Sequence, residues 1–268
     1  MQTVLEQARL LACQAGEAIM AIYARDFTSE TKADSSPLTE ADLASHHILV
    51  AGLQQIAPEI PVLSEESADI AWEVRQAWSR YWLIDPLDGT KEFIKRNGEF
   101  TVNIALIENN QPVLGVVFAP ALGRLFSSSQ GLGAWRQQVT LGDNGLQLAE
   151  PEPIRTQPRQ DGEAWRVVGS RSHAGEGMAE WLAALGEHEL VSMGSSLKLC
   201  LVADGAAHVY PRLGPTCEWD TAAAHAVVLE AGGLVLDGDD QPLRYNAKAE
   251  YLNPHFFVWA ESPAAAEK

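Results

Sequence analysis

Basic side chains are scarce: 19 lysines and arginines stand against 36 aspartates and glutamates in 268 residues, a formal charge of −17. That balance argues against long stretches of nucleic acid and anionic membrane surfaces as partners, because polyanions repel a protein of the same sign. A small anionic ligand stays open if metal ions offset the acid locally. Cysteine is scarcer still. Cys13, Cys200 and Cys217 are too few and too scattered for a disulfide framework or a cysteine zinc site, which fits a reducing, cytoplasmic setting. No apolar run is long enough for a membrane span: even "AHAVVLEAGGLVL" is broken by Glu230 and two glycines. The opening stretch has neither the basic head nor the unbroken apolar core of a secretion signal. There is no internal repeat and no low-complexity tract.

What is present is an ordinary share of apolar residues, 46%, enough to bury a sizeable core in one unit with two lobes or in two small domains. In "MQTVLEQARLLACQAGEAIMAIY" Val4, Ala8, Leu11, Ala15, Ile19 and Ile22 recur at helical spacing. A polar stretch follows, then a second helical pattern from about Ala41 to Ile56. Thr39 is its expected cap, with Asp42 completing a capping-box-like pair. "IPVLSEES" reads as a strand entering an acidic turn, "AWEVRQAWSR" as a short helix, and residues 81–85 as a strand. Two apolar runs flanking Asn109, Asn110 and Gln111 predict a hairpin. "GRLFSSSQGLGAW" predicts a further strand pair. The proline- and charge-rich "EPEPIRTQPRQDG" marks a lobe boundary, giving an N-terminal α+β lobe over 1–160 and a C-terminal α/β lobe over 161–268. In the second lobe strands at 165–169, 189–193, 206–210, 233–236 and 256–260 alternate with helices at 174–185, 196–203 and 221–231. Such alternation favours an α/β layer.

The stretch that carries chemistry is "WLIDPLDGTKEF". Pro86 offers no N–H to a ladder, so the strand is expected to stop there and leave Asp85 and Asp88 at its end. Glu65 likewise follows an apolar strand, and two such strands side by side would bring the three carboxylates together. One acidic turn alone is usually a solvated loop. Clustered carboxylates, however, repel unless cations bind them, and hard oxygen donors suit Mg²⁺ rather than zinc or copper. Gly89 and Thr90 open a helical turn whose amides form an anion cradle. Metal and cradle together suggest phosphoryl chemistry.

"DPLDGTKEF", with "SPLTEAD" and "LSEE" upstream and "WDTAAAHAVVLEAGG" downstream, resembles the lithium-sensitive, magnesium-dependent inositol monophosphatase superfamily. Within it the chain looks most like the bacterial 3′(2′),5′-bisphosphate nucleotidases, which convert adenosine 3′,5′-bisphosphate to AMP. The likeness runs from the first helix to about Val258, and four motifs in the right order make it specific. It implies a layered αβαβα sandwich of the sugar-phosphatase fold, and one catalytic unit whose first lobe carries most metal ligands. It also implies two or three Mg²⁺ ions held by Glu65, Asp85, the carbonyl of Leu87, Asp88 and Asp220. Thr90, hydrogen-bonded to Asp42, would orient the attacking water, and the substrate would meet Leu87, Gly89 and Thr90. On the residues alone Asp42 is part of a cap and Asp220 an N-cap; only the resemblance makes them functional.

Substrate choice falls to the second lobe. "SMGSSLKLCLVADG" puts Ser195 and Ser196 at a helix start and Lys198 in its first turn. A cation there opposes the helix dipole unless an anion offsets it, which hints at a second phosphate; a solvent-facing lysine is the bland alternative. The resemblance matches Ser195, Lys198 and Arg212 to the positions that hold the nucleotide's other phosphate, and His173 to one that approaches the nucleotide. His173 reads equally as a surface residue. Two residues depart from the pattern: Ser67 stands where nucleotidases often have aspartate, and Glu218 precedes Trp219 where bacterial relatives tend to be neutral, adding charge beside the site. The implied function is a cytoplasmic Mg²⁺-dependent 3′-phosphatase of adenosine 3′,5′-bisphosphate and of its sulfated form, 3′-phosphoadenylyl sulfate, in sulfur assimilation. The alternatives are an inositol or sugar phosphatase on the same scaffold, or a non-catalytic phosphate-binding regulator.

Overall fold

The computed structural model describes residues 1–25, 37–142, 145–169 and 177–263. Helix α1 (Gln2–Tyr23) buries the apolar stripe its periodicity predicts, from Leu5 to Ile22. Helix α2 (Pro37–Ile56) packs beside it. It begins one turn earlier than expected, because proline is tolerated in a first helical turn where its missing N–H is not needed. Thr39 therefore lies inside the helix and is not its cap.

The two helices cover one face of an eight-stranded sheet. Its strands are β1 (Val62–Ser64), β2 (Arg80–Asp88), β3 (Thr101–Glu108), β4 (Gln111–Ala119), β5 (Arg124–Ser129), β6 (Gly133–Gly142) and β7 (Gly145–Leu148), adjacent in that order, with β8 (Glu152–Ile154) also on β6. β1 and β2 are parallel and the remaining neighbours antiparallel. The β3–β4 turn consists of Asn109 and Asn110, at φ of 50° and 65°, a two-residue geometry that asparagine tolerates. Two short helices, α3 (Trp72–Arg75) and α4 (Thr90–Ile94), flank β2 in sequence.

A second, five-stranded sheet comprises β9 (Trp165–Gly169), β10 (His188–Ser192), β11 (Val209–Arg212), β12 (Leu234–Asp237) and β13 (Phe256–Trp259) in the order β10-β9-β11-β13-β12. On its outer face α5 (Met178–Leu185) sets Trp181, Leu182 and Leu185 against Trp165, Val167 and Val209. Between the sheets lie α6 (Leu197–Ala203) and α7 (Ala222–Glu230). Helix α7 is buried from Ala222 to Val228 and has no polar face, as expected of a helix covered on both sides. Its alanines allow close approach: a Cβ on Gly115 of β4 would stand 2.0 Å from the carbonyl oxygen of Ala223. The layers run α, β, α, β, α.

Candidate active site

β2 does not stop at Pro86. Asp85 opposes Asn103 and Asp88 opposes Thr101, so Pro86 and Leu87 share one position of the partner strand. Proline thus falls in a bulge, where no ladder bond is required of it. Ser45 Oγ of α2 donates to the Pro86 carbonyl at 2.7 Å, and the Leu87 amide donates to Asp85 Oδ1 at 3.0 Å. The bulge fixes how both aspartates leave the strand.

Glu65 opens the 3₁₀ turn that follows β1, the neighbour of β2, and Asp220 closes the 3₁₀ turn that precedes α7. One carboxylate oxygen each from Glu65, Asp85 and Asp220 lies within 4.8 Å of the others. Asp220 Oδ2 also accepts the Cys217 amide at 2.9 Å, so capping and convergence coexist in one side chain. Asp85 is 1% exposed, and its Oδ2 has no hydrogen-bond partner among the described residues. Burial pushes its acid well above the usual range, and the charges of Asp88, Glu65, Asp220 and Asp42 push it further. Burial likewise raises Glu65. It lifts Asp220 to about 7, with Asp88 as the next cause, and Asp42 to about 8, with Glu66 and Glu65 behind it. Closely spaced oxygen donors, one of them buried and orphaned, fit a hard divalent cation.

Asp88 sits at the edge of this cluster. Its Oδ2 accepts the Ser196 amide at 2.6 Å and Thr101 Oγ1 at 3.5 Å. Burial raises its acid, while Lys198 and the Ser196 N–H pull it down. Ser196 Oγ in turn meets Asn103 Oδ1 and Thr101 Oγ1, both at 2.8 Å. The sequence reading missed Thr101 and Asn103, although two polar residues at period two on a buried strand were visible.

Gly89 has φ of 97°, a left-handed conformation that glycine adopts freely, and a Cβ there would come 3.1 Å from the Glu99 carbonyl oxygen. The Phe93 amide closes the first turn of α4 on the Gly89 carbonyl at 2.9 Å, and the amides ahead of it have no partner within the helix. Thr90 is exposed at this turn. Among the described residues no hydrogen bond joins it to Asp42.

A cavity of about 650 Å³ runs from Asp88, Gly89 and Asp220 to Ser195, Lys198 and Arg212, with Met178, Met193 and Leu213 on its walls. Lys198 is not solvent-facing: it is 9% exposed, its ammonium 5.8 Å from the centre of the Tyr210 ring. Burial lowers its pKa, against the pull of Asp88. Ser195, also buried, holds φ of 46°, and its Oγ has no partner among the described residues. Arg212 Nη2 donates to the Pro215 carbonyl at 2.7 Å. His173 lies outside the described residues. Glu218 does not add charge to the cavity. It is 1% exposed, and both its oxygens accept the Asn246 amide, at 3.0 and 2.8 Å, behind the site. Ser67 is exposed at the end of its 3₁₀ turn.

Known proteins share this arrangement of chain. Residues 1–266 match the inositol monophosphatase family. The 3′(2′),5′-bisphosphate nucleotidase CysQ of Escherichia coli O157:H7 is 50% identical over 257 residues, 95% of this chain and 99% of that one. The crystal structure of CysQ from Bacteroides thetaiotaomicron, a bacterial member of the family, superposes with a TM-score of 0.86 at 43% identity, covering 98% of both chains. The inositol monophosphatase of Anabaena shares the fold at a TM-score of 0.71 and 24% identity, over 97% of this chain and 91% of its own. The chain belongs to the inositol monophosphatase family.

Proposed function

We propose that the chain is a Mg²⁺-dependent phosphoric monoester hydrolase that removes the 3′-phosphate of adenosine 3′,5′-bisphosphate, releasing AMP and phosphate. 3′-Phosphoadenylyl sulfate is a second substrate, and the setting is sulfur assimilation in the cytoplasm. The observation that carries this is the cavity that Asp88 and Asp220 line together with Ser195, Lys198 and Arg212. A site for a simple monoester needs only the first half. The second, a buried cation beside an orphaned hydroxyl, suits a second phosphate. The bacterial nucleotidases to which the chain is similar support the same reading.

Glu65, Asp85, the Leu87 carbonyl, Asp88 and Asp220 would hold two or three Mg²⁺. When bound, the ions supply Lewis-acid chemistry, acidifying water and neutralising charge that develops on the departing ribose oxygen. The chain's own groups do the rest. The amides of the first turn of α4 meet the oxygens of the scissile phosphate. Asp42 and Thr90 orient the attacking water beside the cluster. Lys198, Ser195 and Arg212 take the 5′-phosphate, and His173 approaches the nucleoside. No side chain is required to form a covalent phosphoryl adduct.

The test is phosphate release from adenosine 3′,5′-bisphosphate, adenosine 2′,5′-bisphosphate, 3′-phosphoadenylyl sulfate, fructose 1,6-bisphosphate and inositol 1-phosphate, each with Mg²⁺ and with EDTA. Preference for the adenosine 3′,5′-compound, abolished by EDTA, is expected. Preference for inositol 1-phosphate would retain the metal chemistry and overturn the second phosphate pocket. Li⁺ is expected to inhibit, and activity indifferent to Li⁺ would count against two cooperating metal positions.

A further inference from the structure

Arg75 has no task in this reaction, yet it is 1% exposed, which is rare for a guanidinium. Its Nη1 donates to Asn246 Oδ1 at 2.6 Å and to the Lys248 carbonyl at 3.2 Å, and its Nη2 to the Ala249 carbonyl. The guanidinium lies between the rings of Trp72 and Tyr251, 4.7 and 4.3 Å from their centres. Asn246 returns a bond from Nδ2 to the Arg75 carbonyl at 2.6 Å, while its amide binds the Glu218 carboxylate. Tyr251 makes a second strap: its Oη donates to the Ala68 carbonyl at 2.7 Å, and its carbonyl accepts the Glu218 amide at 2.8 Å.

The 245–251 loop is therefore tied on one side to the segment from Glu65 to Arg75, and on the other to the 3₁₀ turn that ends in Asp220. Those two segments are remote in sequence and carry two of the three converging carboxylates. Like charges at that separation drive the segments apart, so the distance between Glu65 and Asp220 has to be set by something outside the cluster.

We propose that Arg75 is a positioning residue for the cation site. Through Asn246, Glu218 and Tyr251 it fixes the separation of Glu65 from Asp220, and with it the affinity for the divalent ion. This rests on reading those carboxylates as metal ligands. Mg²⁺ demands near-ideal geometry, and loss of groups that orient metal ligands typically weakens binding by about 10–100-fold. Glu218 meets Arg75 through Asn246, whose side chain binds Arg75 and whose amide binds the carboxylate, and it feels the arginine's charge.

The test is direct Mn²⁺ binding to the full chain, read by the electron paramagnetic resonance of the free ion, with Tm measured in EDTA alongside. Arg75→Met keeps the bulk and removes every donor, and its Mn²⁺ Kd should rise about 10–100-fold. Tyr251→Phe removes the hydroxyl of a half-buried side chain, which reaches the Ala68 carbonyl at 2.7 Å and, weakly, the Ile70 carbonyl at 3.5 Å, and should raise Kd by about 2–10-fold, the worth of about one hydrogen bond. Glu65→Gln must lose Mn²⁺ binding if the underlying reading is right. Should Glu65→Gln bind as wild type does, the metal assignment fails. Should Glu65→Gln lose binding while the Arg75 and Tyr251 variants bind as tightly as wild type with lowered Tm, Arg75 is a staple only and the proposal is overturned. If Arg75→Met does not fold, Tyr251→Phe decides alone.

Discussion

The two ends of the cavity are opposite in sign and alike in incompleteness. At one end Asp220, which lines the cavity, meets Glu65 and Asp85 in a cluster whose oxygens lie within 4.8 Å of one another, and Asp85 Oδ2 is buried with no hydrogen-bond partner among the described residues. At the other, Lys198 is buried beside a serine hydroxyl with no partner among the described residues. Each end costs the fold free energy, since buried charge and orphaned polar atoms are both unfavourable, and each would be relieved by a ligand of the opposite charge. Asp88 stands on the seam, one carboxylate oxygen held by Ser196 of the second half. On the proposed function, a metal-complexed substrate with two anionic groups would complete both ends at once.

The sharpest way to break this comparison is to remove charge from the acidic end. Asp85→Asn keeps the shape and should lower kcat/KM with adenosine 3′,5′-bisphosphate by about 10³-fold or more, the scale on which loss of a group serving transition-state charge is felt. Steady-state phosphate release measures it, and near-normal turnover would mean the cluster is a structural acid site. At the basic end Lys198→Ala should cost about 10–100-fold, because a charge-assisted hydrogen bond contributes about 1.5–3 kcal/mol. That loss should fall on the bisphosphate and leave hydrolysis of inositol 1-phosphate as it was. An equal loss on both substrates would deny the division of the cavity into two halves.

The acidic end was the more legible in the sequence, for a physical reason. Its residues lie within motifs whose local structure is dictated by strand ends, by Pro86 and by Gly89, so the spacing in "DPLDGT" carries the geometry. Even there the literal rule misled: proline ended no strand but entered a bulge, because pairing to β3 resumes at Asp88. The helices and strands were readable in outline from periodicity, with boundaries off by a few residues, as β11 at Val209–Arg212 shows, whereas the layered αβαβα order came only with the family resemblance. The basic end was harder to read. Whether Lys198 faces solvent or cavity depends on α6 being enclosed between two sheets, a fact of tertiary packing that no local pattern contains. Glu218 misled for the same reason, since its partner Asn246 comes from a distant loop.

A smaller effect separates the two ends through their glycines. At Gly194 a Cβ would meet Glu92 Cγ at 2.6 Å and the Glu99 carbonyl oxygen at 2.9 Å, and the Gly194 amide is anchored on Glu99 Oε2 at 2.8 Å. Gly194→Ala must displace the loop that presents Ser195. The expected cost is about 1–3 kcal/mol in stability, as for overpacking elsewhere, with a rise in KM for the bisphosphate and little change in Mg²⁺ dependence. Denaturant melts and metal titrations check this. A shift in Mg²⁺ dependence alone would place the loop with the acidic end instead.

The smallest effect is one of pH, and its sign differs with and without metal. In the folded chain Asp42 titrates at about 8, and Asp220 and Glu218 at about 7, each raised first by burial. In the unfolded chain they titrate near 4. Between about pH 4 and 8 the folded state therefore binds more protons, and the metal-free protein loses stability as pH rises through that window. Mg²⁺ binds only the deprotonated carboxylates, so the stabilisation it adds grows over the same range. Glu218 lies behind the site and contributes its decline in both conditions, whereas the share of Asp220, a ligand, is cancelled by the ion and that of Asp42, which is not a ligand, is offset by the ion's nearby charge. Melting curves in EDTA and in saturating Mg²⁺ should thus diverge as pH is raised from about 5 to about 8, by several degrees, since each kcal/mol is worth about 2–4 °C in a chain of this size. Parallel curves would mean that the carboxylates do not give up their protons to a cation, and the contrast between the two ends would lose its physical basis.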